Sequence, residues 1–243
     1  MTGSIVPPIG GTFTGRPAGA GSRPPAPPPT MYLPAAFAEP RTSEQHRLIE
    51  SHPLGMLVTQ GARGLDANHL PFLLDAGKGP LGTLAGHVAR ANPVWTEVAD
   101  GSEVLVVFRG AEGYISPQWY PGKAEHHRHV PTWNYEAVHV HGRMTVRDDG
   151  AFVRGVVARL TRRHEAAMER PWKMGDAPAD YLDAMVQQIV GIEIAITRME
   201  GKRKLSQNRD DRDFAGAVQA LRERGQEALA DAMRQASPVR GPF

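Results

Sequence analysis

The chain has 243 residues, 41% of them hydrophobic and 22% charged, which is enough to bury a full core in one domain or two small ones. It contains no cysteine, which excludes disulfides, iron–sulfur ligation and thiol nucleophiles and suits a reducing compartment. A formal net charge of +2 lies far from the dense basic field of a dedicated nucleic-acid binder. With no long apolar window and no signal-peptide pattern, we expect a soluble, cytoplasmic protein without a membrane partner.

The N-terminal segment, residues 1–30, consists mostly of Gly, Pro, Ser, Thr and Ala. Such a composition cannot bury enough apolar surface to offset the entropy lost on ordering, so it predicts a disordered tail. Its PPAPPP run leaves open a second interpretation, a polyproline ligand for a partner. We expect one ordered domain over residues 31–235 and a flexible tail over 236–243.

The ordered sequence begins with a short predicted helix at 42–51, where Thr42 or Ser43 can cap the N-terminus. Five strand-like segments follow, each rich in β-branched residues and bounded by Gly or Pro, at 55–60, 65–75, 81–88, 103–110 and 134–146. Between the third and fourth, Asn92 is a natural helix cap and Pro93 suits the first helical position.

The second half of the chain predicts helices at 149–167 and 178–190, from apolar residues at helical spacing, and then a strand at 191–200 and a charged terminal helix. Evenly spaced short strands favour an antiparallel barrel or sandwich over a βαβ fold. The predicted fold class is therefore mainly β with flanking helices, a six-stranded antiparallel barrel closed by a strand that is distant in sequence.

The most unusual stretch is GYISPQWYPGKAEHHRHVPTWNYEAVHVHG, residues 113–142, in which aromatic and histidine side chains are concentrated. A period of two places one aliphatic set toward the core: Val138, Val140, Met144 and Val146. The opposite face carries Trp133, Tyr135, His139, His141 and Arg143, which is typical of a subunit interface or a cofactor cleft.

A metal site is the first explanation for these histidines, because a His-x-His pair on a strand can hold one ion. No third ligand recurs at metal-like spacing, and Arg143 would repel a cation, so we expect no metal. The HHRH run at 126–129 lies between prolines and predicts a solvated turn.

The sequence lacks the G-x-S-x-G elbow, the phosphate-binding P-loop and the dinucleotide fingerprint, which excludes the enzyme classes that those motifs mark. A phosphate together with a planar ring remains as a ligand. Cationic and hydroxyl candidates for the phosphate are His87, Arg90, Ser116, Lys123, Lys204 and Ser206. Candidates for the ring are Asn68, Trp133, Asn134 and Gln207. Lys123 can equally be a surface loop residue, and Trp133 can simply pack an interface.

Seven stretches read together resemble the PaiB family, described as FMN-binding negative transcriptional regulators: MYLPAAF, ANHLPFLLD, GHVARANP, YISPQWY followed by Lys123, VPTWNYEAVHVHG, IVGIEI and KRKLSQNR. The resemblance covers about residues 31–215. It implies a split β-barrel like that of pyridoxine phosphate oxidase-like flavoproteins, which are homodimers with FMN between the subunits.

The resemblance also implies residue roles. GHVARANP places His87 and Arg90 at the flavin phosphate, and KRKLSQNR places Lys204, Ser206 and Gln207 near the ring. Where the oxidases have an arginine-rich pattern this chain has LDANHLP, so Asn68 and His69 stand in its place. The VPTWNYEAVHVHG motif adds Thr132, Trp133 and Asn134 to the cofactor-binding candidates.

Several functions fit this reading. The first is an FMN-binding homodimer that acts as a negative transcriptional regulator or redox sensor. A flavin-dependent oxidoreductase is the second, with His139 and His141 as proton donors. A haem protein is the third, with His69, His87 or His139 as axial ligand. Direct DNA binding has weak support, since the basic segment 158–165 lacks a helix-turn-helix pattern around it.

Overall fold

The computed structural model describes residues 31–237, so the predicted tail at 1–30 and positions 238–243 of the predicted C-terminal tail lie outside the described residues. The strands in this range are β1 (Ala38–Glu39), β2 (Leu54–Gly61), β3 (Gly64–Pro71), β4 (Leu73–Asp75), β5 (Thr83–Ala89), β6 (Glu103–Ile115), β7 (Thr132–Arg147) and β8 (Ile189–Lys204). The helices are α1 (Thr42–Ser51), α2 (Val94–Glu97), α3 (Lys123–His126), α4 (Gly150–Glu165), α5 (Ala179–Gln187), α6 (Asp211–Glu223) and α7 (Glu227–Gln235). None of these helices has both the length and the apolar composition that a bilayer crossing requires.

The strands form one antiparallel sheet in the order β3-β2-β6-β7-β8-β5-β4, and β1 pairs with β8. This confirms a mainly β fold with flanking helices, whereas the predicted number of six strands is wrong. The predicted strand 65–75 divides at Phe72, because the residues up to Pro71 pair with β2 and those from Leu73 onward pair with β5. The Phe72 N–H still bonds the carbonyl oxygen of Pro53 at 2.9 Å, in register with the pairing to β2. The two-residue strand β1 is too short to leave a sequence pattern.

The core confirms the predicted alternation along β7. Val138, Val140 and Met144 are buried with the inward residues of the neighbouring strands, and Val146 packs against the same cluster. His139 and His141 lie half-buried on the opposite side of the sheet. Both β7 and β8 are longer than predicted, so residues up to Lys204 belong to a strand.

Helix α4 covers part of the opposite side of the sheet, where Val156 and Leu160 pack on Leu73 and Ala85. At the other end of the sheet, α6 and α7 build a second hydrophobic cluster on the last residues of β6 and β8. The predicted single terminal helix is two helices, because Gly225 adopts a left-handed φ of 70° that breaks the first one.

A buried ion pair ties β8 to β7 near the second cluster. Arg203 Nε donates to Glu136 Oε1 at 2.7 Å, and both side chains are only 7% exposed. Glu39 of β1 lies on the same guanidinium, 3.9 Å from its Nη1. Glu136 therefore depends on Arg203 for compensation, whereas Glu39 also accepts from Arg41 Nε at 2.8 Å.

Candidate functional site

The predicted cofactor residues fall into two groups at opposite ends of β8. His87 on β5 is the cross-strand partner of Gly191, near the start of β8, whereas Lys204 is the last residue of that strand. Thirteen residues of extended chain separate the two positions, which corresponds to roughly 40 Å. One FMN molecule within one subunit cannot reach both.

The first group, called the β5 end, consists of Asn68, His69, His87 and Arg90. Asn68 Oδ1 accepts a hydrogen bond from Asn92 Nδ2 at 2.6 Å. Asn92 Oδ1 in turn accepts from the Val94 N–H at 3.0 Å. The N-cap of α2 is Pro93, one residue after the predicted position, so Asn92 bonds the start of the helix from just outside it. Asn92 therefore orients Asn68, while His69 is exposed on the other side of β3.

Arg90 is held by a dense set of acceptors. Its two terminal nitrogens donate to the carboxylate of Asp148 at 3.0 and 2.6 Å, and Nε donates to the carbonyl oxygen of Gln187 at 2.7 Å. The hydrogen bonds from the Arg90 guanidinium lower the pKa of the Asp148 carboxyl. A phosphate that binds Arg90 has to take over contacts that Asp148 now makes.

His87 supplies a group that suits a ligand. Its Nδ1 atom is buried and has no hydrogen-bond partner within the described part of the chain, and burial lowers the pKa of the imidazole. An unpaired buried nitrogen is costly, so a bound phosphate or ribityl hydroxyl that pairs with it is stabilising. The donor set of the β5 end therefore fits the polar chain of FMN.

Acidification tests the burial of His87 without any ligand. His87 and His139 both have pKa values lowered by burial from the usual 6.5, so below that pH the unfolded chain binds more protons than the folded one. We expect full stability above pH 6.5 and a falling free energy of unfolding as the pH drops below it. Urea unfolding at pH 7.5 and 5.5 measures this, and His87→Gln should shrink the difference. If the free energy of unfolding differs between the two pH values by the same amount in the variant as in the unchanged protein, His87 is not the group whose burial causes the loss.

The second group, called the Lys204 end, combines a cation with exposed rings. Lys204 Nζ donates to Thr132 Oγ1 and to the carbonyl oxygen of Trp133. Burial lowers the pKa of Lys204, and the nearby cations Lys202 and Arg209 lower it further. An anion at this position would relieve the repulsion between these positive charges.

The exposed rings at the Lys204 end are cross-strand neighbours. Tyr114 of β6 pairs with Trp133 of β7, and their ring centroids lie 6.5 Å apart. Tyr114 is 47% and Trp133 50% exposed, which is unusual for such large apolar groups. Trp119 packs on Tyr114 at 6.5 Å. These rings offer a planar ligand a surface to stack on.

Five other candidates lie at the Lys204 end, and hydrogen bonds account for all of them except Lys123. Asn134 is buried and donates to Ser206 Oγ at 2.9 Å. Gln207 closes the turn after β8, accepting from the Leu205 N–H at 2.8 Å. Ser116 accepts from the Gln118 N–H at 3.2 Å and so caps a short 3₁₀ helix. Lys123 is half-buried at the start of α3.

The HHRH segment departs from its prediction. His126 and His127 are exposed as a solvated turn requires, but the His129 side chain is only 6% exposed, and its Nε2 lies 2.8 Å from Oδ2 of the fully buried Asp213. The prediction of a solvated turn is wrong for His129. Sequence spacing gave no signal here, because the two residues are far apart in the chain and meet only when α6 folds onto the segment.

An open surface joins the two ends. We call it the outer sheet face: the side of β2, β6 and β7 that carries Met56, Val58, Leu105, Val107, His139 and His141, all half-buried. Aliphatic residues lie at its centre and polar ones at its edge, as in subunit interfaces. Among the described residues, no group of three or more His, Asp or Glu side chains could hold a metal ion.

The fold and this donor set define a small flavin-binding protein. A family model described as "Putative FMN-binding domain" matches residues 31–198, and the chain belongs to this family, whose cofactor is FMN. The chain is 29% identical to the protease synthase and sporulation protein PAI 2 of Bacillus subtilis, covering 79% of this chain and 89% of that protein. The family is thus the PaiB-like one. An uncharacterised protein of Aspergillus fumigatus is 32% identical, covering 81% of this chain and 93% of its own.

Solved structures show the same fold at low sequence identity. A conserved hypothetical protein of Mycobacterium tuberculosis has a TM-score of 0.52 at 12% identity, covering 74% of this chain and 94% of its own. The FAD and heme binding protein of Mycobacterium smegmatis has a TM-score of 0.50 at 16% identity, covering 74% and 79%.

Proposed function

We propose that the protein is an FMN-binding homodimer of the PaiB type whose flavin performs or senses a redox step. The observation that carries the proposal is the separation of the two candidate groups along β8. Each group has part of what FMN needs: polar donors at the β5 end, and exposed rings with a cation at the Lys204 end. A dimer can bring the two together.

The sheet supports a split barrel as the architecture. The outermost strands of the hydrogen-bonded order, β3 and β4, are consecutive in the chain and separated only by Phe72. The first half of this stretch pairs with β2 and the second half with β5. One bent length of chain therefore links both ends of the sheet, as a barrel requires.

The outer sheet face supports the dimer. If two copies pack these faces together about a two-fold axis perpendicular to the strands, the strands of the two copies run in opposite directions. The β5 end of one subunit then lies near the Lys204 end of its partner. FMN would lie between subunits, with its phosphate at His87 and Arg90 and its ring toward Trp133 of the partner subunit.

When bound, FMN supplies the electron or hydride chemistry. The protein's part is to position the ring and to move protons. His139 is a candidate proton acceptor, because burial lowers its pKa and keeps the imidazole neutral near pH 7. His141 Nε2 lies 3.5 Å from Glu200 Oε2, so a carboxylate is available to orient that ring.

Regulation of transcription would then follow from the redox state of the protein and not from a DNA-reading helix. On α4, Arg154 pairs with Asp183, and Arg163 donates to the carbonyl oxygen of Glu50 at 2.7 Å. Residues 166–178 separate α4 from α5, so the tight turn of a helix-turn-helix is missing between them. These contacts favour a structural role for the basic helix.

A spectrum of the purified protein during titration with FMN tests the proposal. We expect saturable binding with perturbed flavin absorbance and a dimer in solution. A Soret band without flavin binding would replace the proposal with the haem alternative, for which His87 is the best-placed ligand. A specific shift of its own promoter fragment without flavin binding would favour the DNA-binding alternative.

Two substitutions with opposite expected effects test the phosphate site. Arg90→Ala should weaken FMN binding about tenfold and leave the dimer intact, because one charge-assisted contact is lost. Asp148→Asn should strengthen FMN binding, because it removes the carboxylate that competes for Arg90. Isothermal titration of both variants measures this. If neither changes the FMN dissociation constant, Arg90 serves only its ion pair with Asp148.

A further inference from the structure

A cavity of about 430 Å³ lies between the C-terminal half of α4 and the segment that connects α4 to α5. Its walls are mostly apolar. Ala158 of the helix leaves space by its small size, and the side chains of Pro171, Trp172 and Met174 line the opposite wall. This volume falls within the range of small-molecule sites, roughly 300–1,000 Å³. None of the lining residues is among the candidates for FMN, so the cavity needs its own explanation.

Hydrogen bonds fix the connecting segment on its helix. The Trp172 N–H donates to Oε2 of Glu165 at 2.9 Å, and the Met168 N–H donates to the Glu165 carbonyl oxygen at 2.9 Å. The next residue, Lys173, donates its N–H to Oδ2 of Asp176 at 2.8 Å. The backbone around Trp172 is thus held, whereas its side chain is 42% exposed. The cavity is therefore formed without a ligand, which reduces the entropic cost of binding.

Two cations border these apolar walls. Arg162 and Lys173 line the cavity and are exposed, and within residues 31–237 neither forms an ion pair with a carboxylate. Glu165 is the one acidic residue of the lining, and its Oε2 already accepts from the Trp172 N–H. The cations therefore outnumber the carboxylate. An anionic group of a ligand can pair with either cation without displacing a partner from it.

We propose that this cavity binds a small, mainly apolar molecule with one acidic group. Its apolar body packs against Trp172 and Met174, and its acidic group contacts Arg162 and Lys173. This inference goes beyond the proposed function and does not depend on it, because the lining residues and the FMN candidates are separate sets. The protein therefore takes a second ligand at the α4–α5 connection.

Isothermal titration of the full-length protein with sodium 2-naphthoate tests the site, with uncharged 2-naphthalenemethanol as the matched probe. In protein saturated with FMN we expect one saturable site per chain, and about tenfold weaker binding of the uncharged probe, because it lacks the charge-assisted contact. The affinity of this site should be the same without FMN, so a protein that takes no FMN should still bind naphthoate. No saturable binding, equal affinity of the two probes, or displacement of naphthoate by FMN would overturn the proposal.

Charge variants test the contact with the acidic group. Arg162→Gln and Lys173→Gln should each weaken naphthoate binding about fivefold and leave the affinity for 2-naphthalenemethanol unchanged. Arg159→Gln is the matched control: Arg159 is an exposed arginine of the same helix that does not line the cavity, and it should change neither affinity. An equal loss in all three variants would show that net charge attracts the anion, and would overturn the assignment of Arg162 and Lys173.

Two variants of the walls test the place of binding. Ala158→Phe fills the cavity from the helix and should abolish binding of both probes, with the far-ultraviolet circular dichroism unchanged. Trp172→Ala removes part of the opposite wall and should weaken both probes about tenfold. Because the Trp172 side chain is exposed, this variant should stay folded even if the first does not. Unchanged naphthoate affinity in Trp172→Ala would place the probe outside the cavity and overturn the proposal.

Discussion

Val107→Asp is expected to convert the protein from a dimer to a monomer. Val107 lies at the centre of the outer sheet face, between Met56 of β2 and His139 of β7. A carboxylate there would be buried without a partner in the proposed dimer, which should weaken association at least about 100-fold. The monomer itself should stay folded, because Val107 is only half-buried in it. Sedimentation velocity over a range of concentrations measures the change.

The same variant should lose FMN binding together with dimerisation, because the proposed cleft needs both subunits. Tyr181→Asp is the matched control: Tyr181 is an exposed aromatic residue on α5 that is not part of the outer sheet face, and we expect no change in either property. A Val107→Asp protein that remains a dimer would place the interface elsewhere. A monomer that binds FMN with unchanged affinity would place the flavin within one subunit.

Arg203→Met is expected to cost about 3–5 kcal/mol of the free energy of unfolding, because it leaves the buried carboxylate of Glu136 without its cation, whereas Glu39 keeps its ion pair with Arg41. Methionine fills most of the volume of the arginine stem, so lost packing contributes little. Urea unfolding monitored by far-ultraviolet circular dichroism measures the change.

Two further variants identify the cause. Arg203→Met combined with Glu136→Met removes both charges of the closest pair and should recover a large part of the loss. Arg63→Met breaks an exposed pair with Glu97 and should cost less than about 1 kcal/mol. A cost for Arg203→Met as small as that for Arg63→Met would show that the buried pair contributes no net stability.

Much of the fold was predictable because local patterns agree with the tertiary structure. The alternation of Val138 and Val140 with His139 and His141 follows from the period of a strand, and it placed the correct residues in the core. The division at Phe72 was not predictable in the same way. The residue pattern continues through it, and the division appears only because the chain changes partner there, from β2 before Phe72 to β5 after it.

In the candidate site, the residue types alone do not predict which partners the side chains contact. The sequence predicts Arg90 as a phosphate donor, yet its nitrogens already bond Asp148, which lies 58 positions away in the chain. It predicts a solvated turn for His129 and its neighbours, yet α6 buries His129 against Asp213. In both cases the deciding partner comes from a remote element, and its side chain has no pattern of its own.

By itself, the sequence determined the class of fold, the family and the position of the aromatic and histidine-rich stretch at residues 113–142. These are encoded in local periodicity and in runs of consecutive residues. Only the tertiary structure decided which candidates lie together, because β8 is long enough to separate Gly191, the cross-strand partner of His87, from Lys204 at its other end. Distance along a strand and pairing between remote elements are set by the folded sheet, and a list of residue types contains neither.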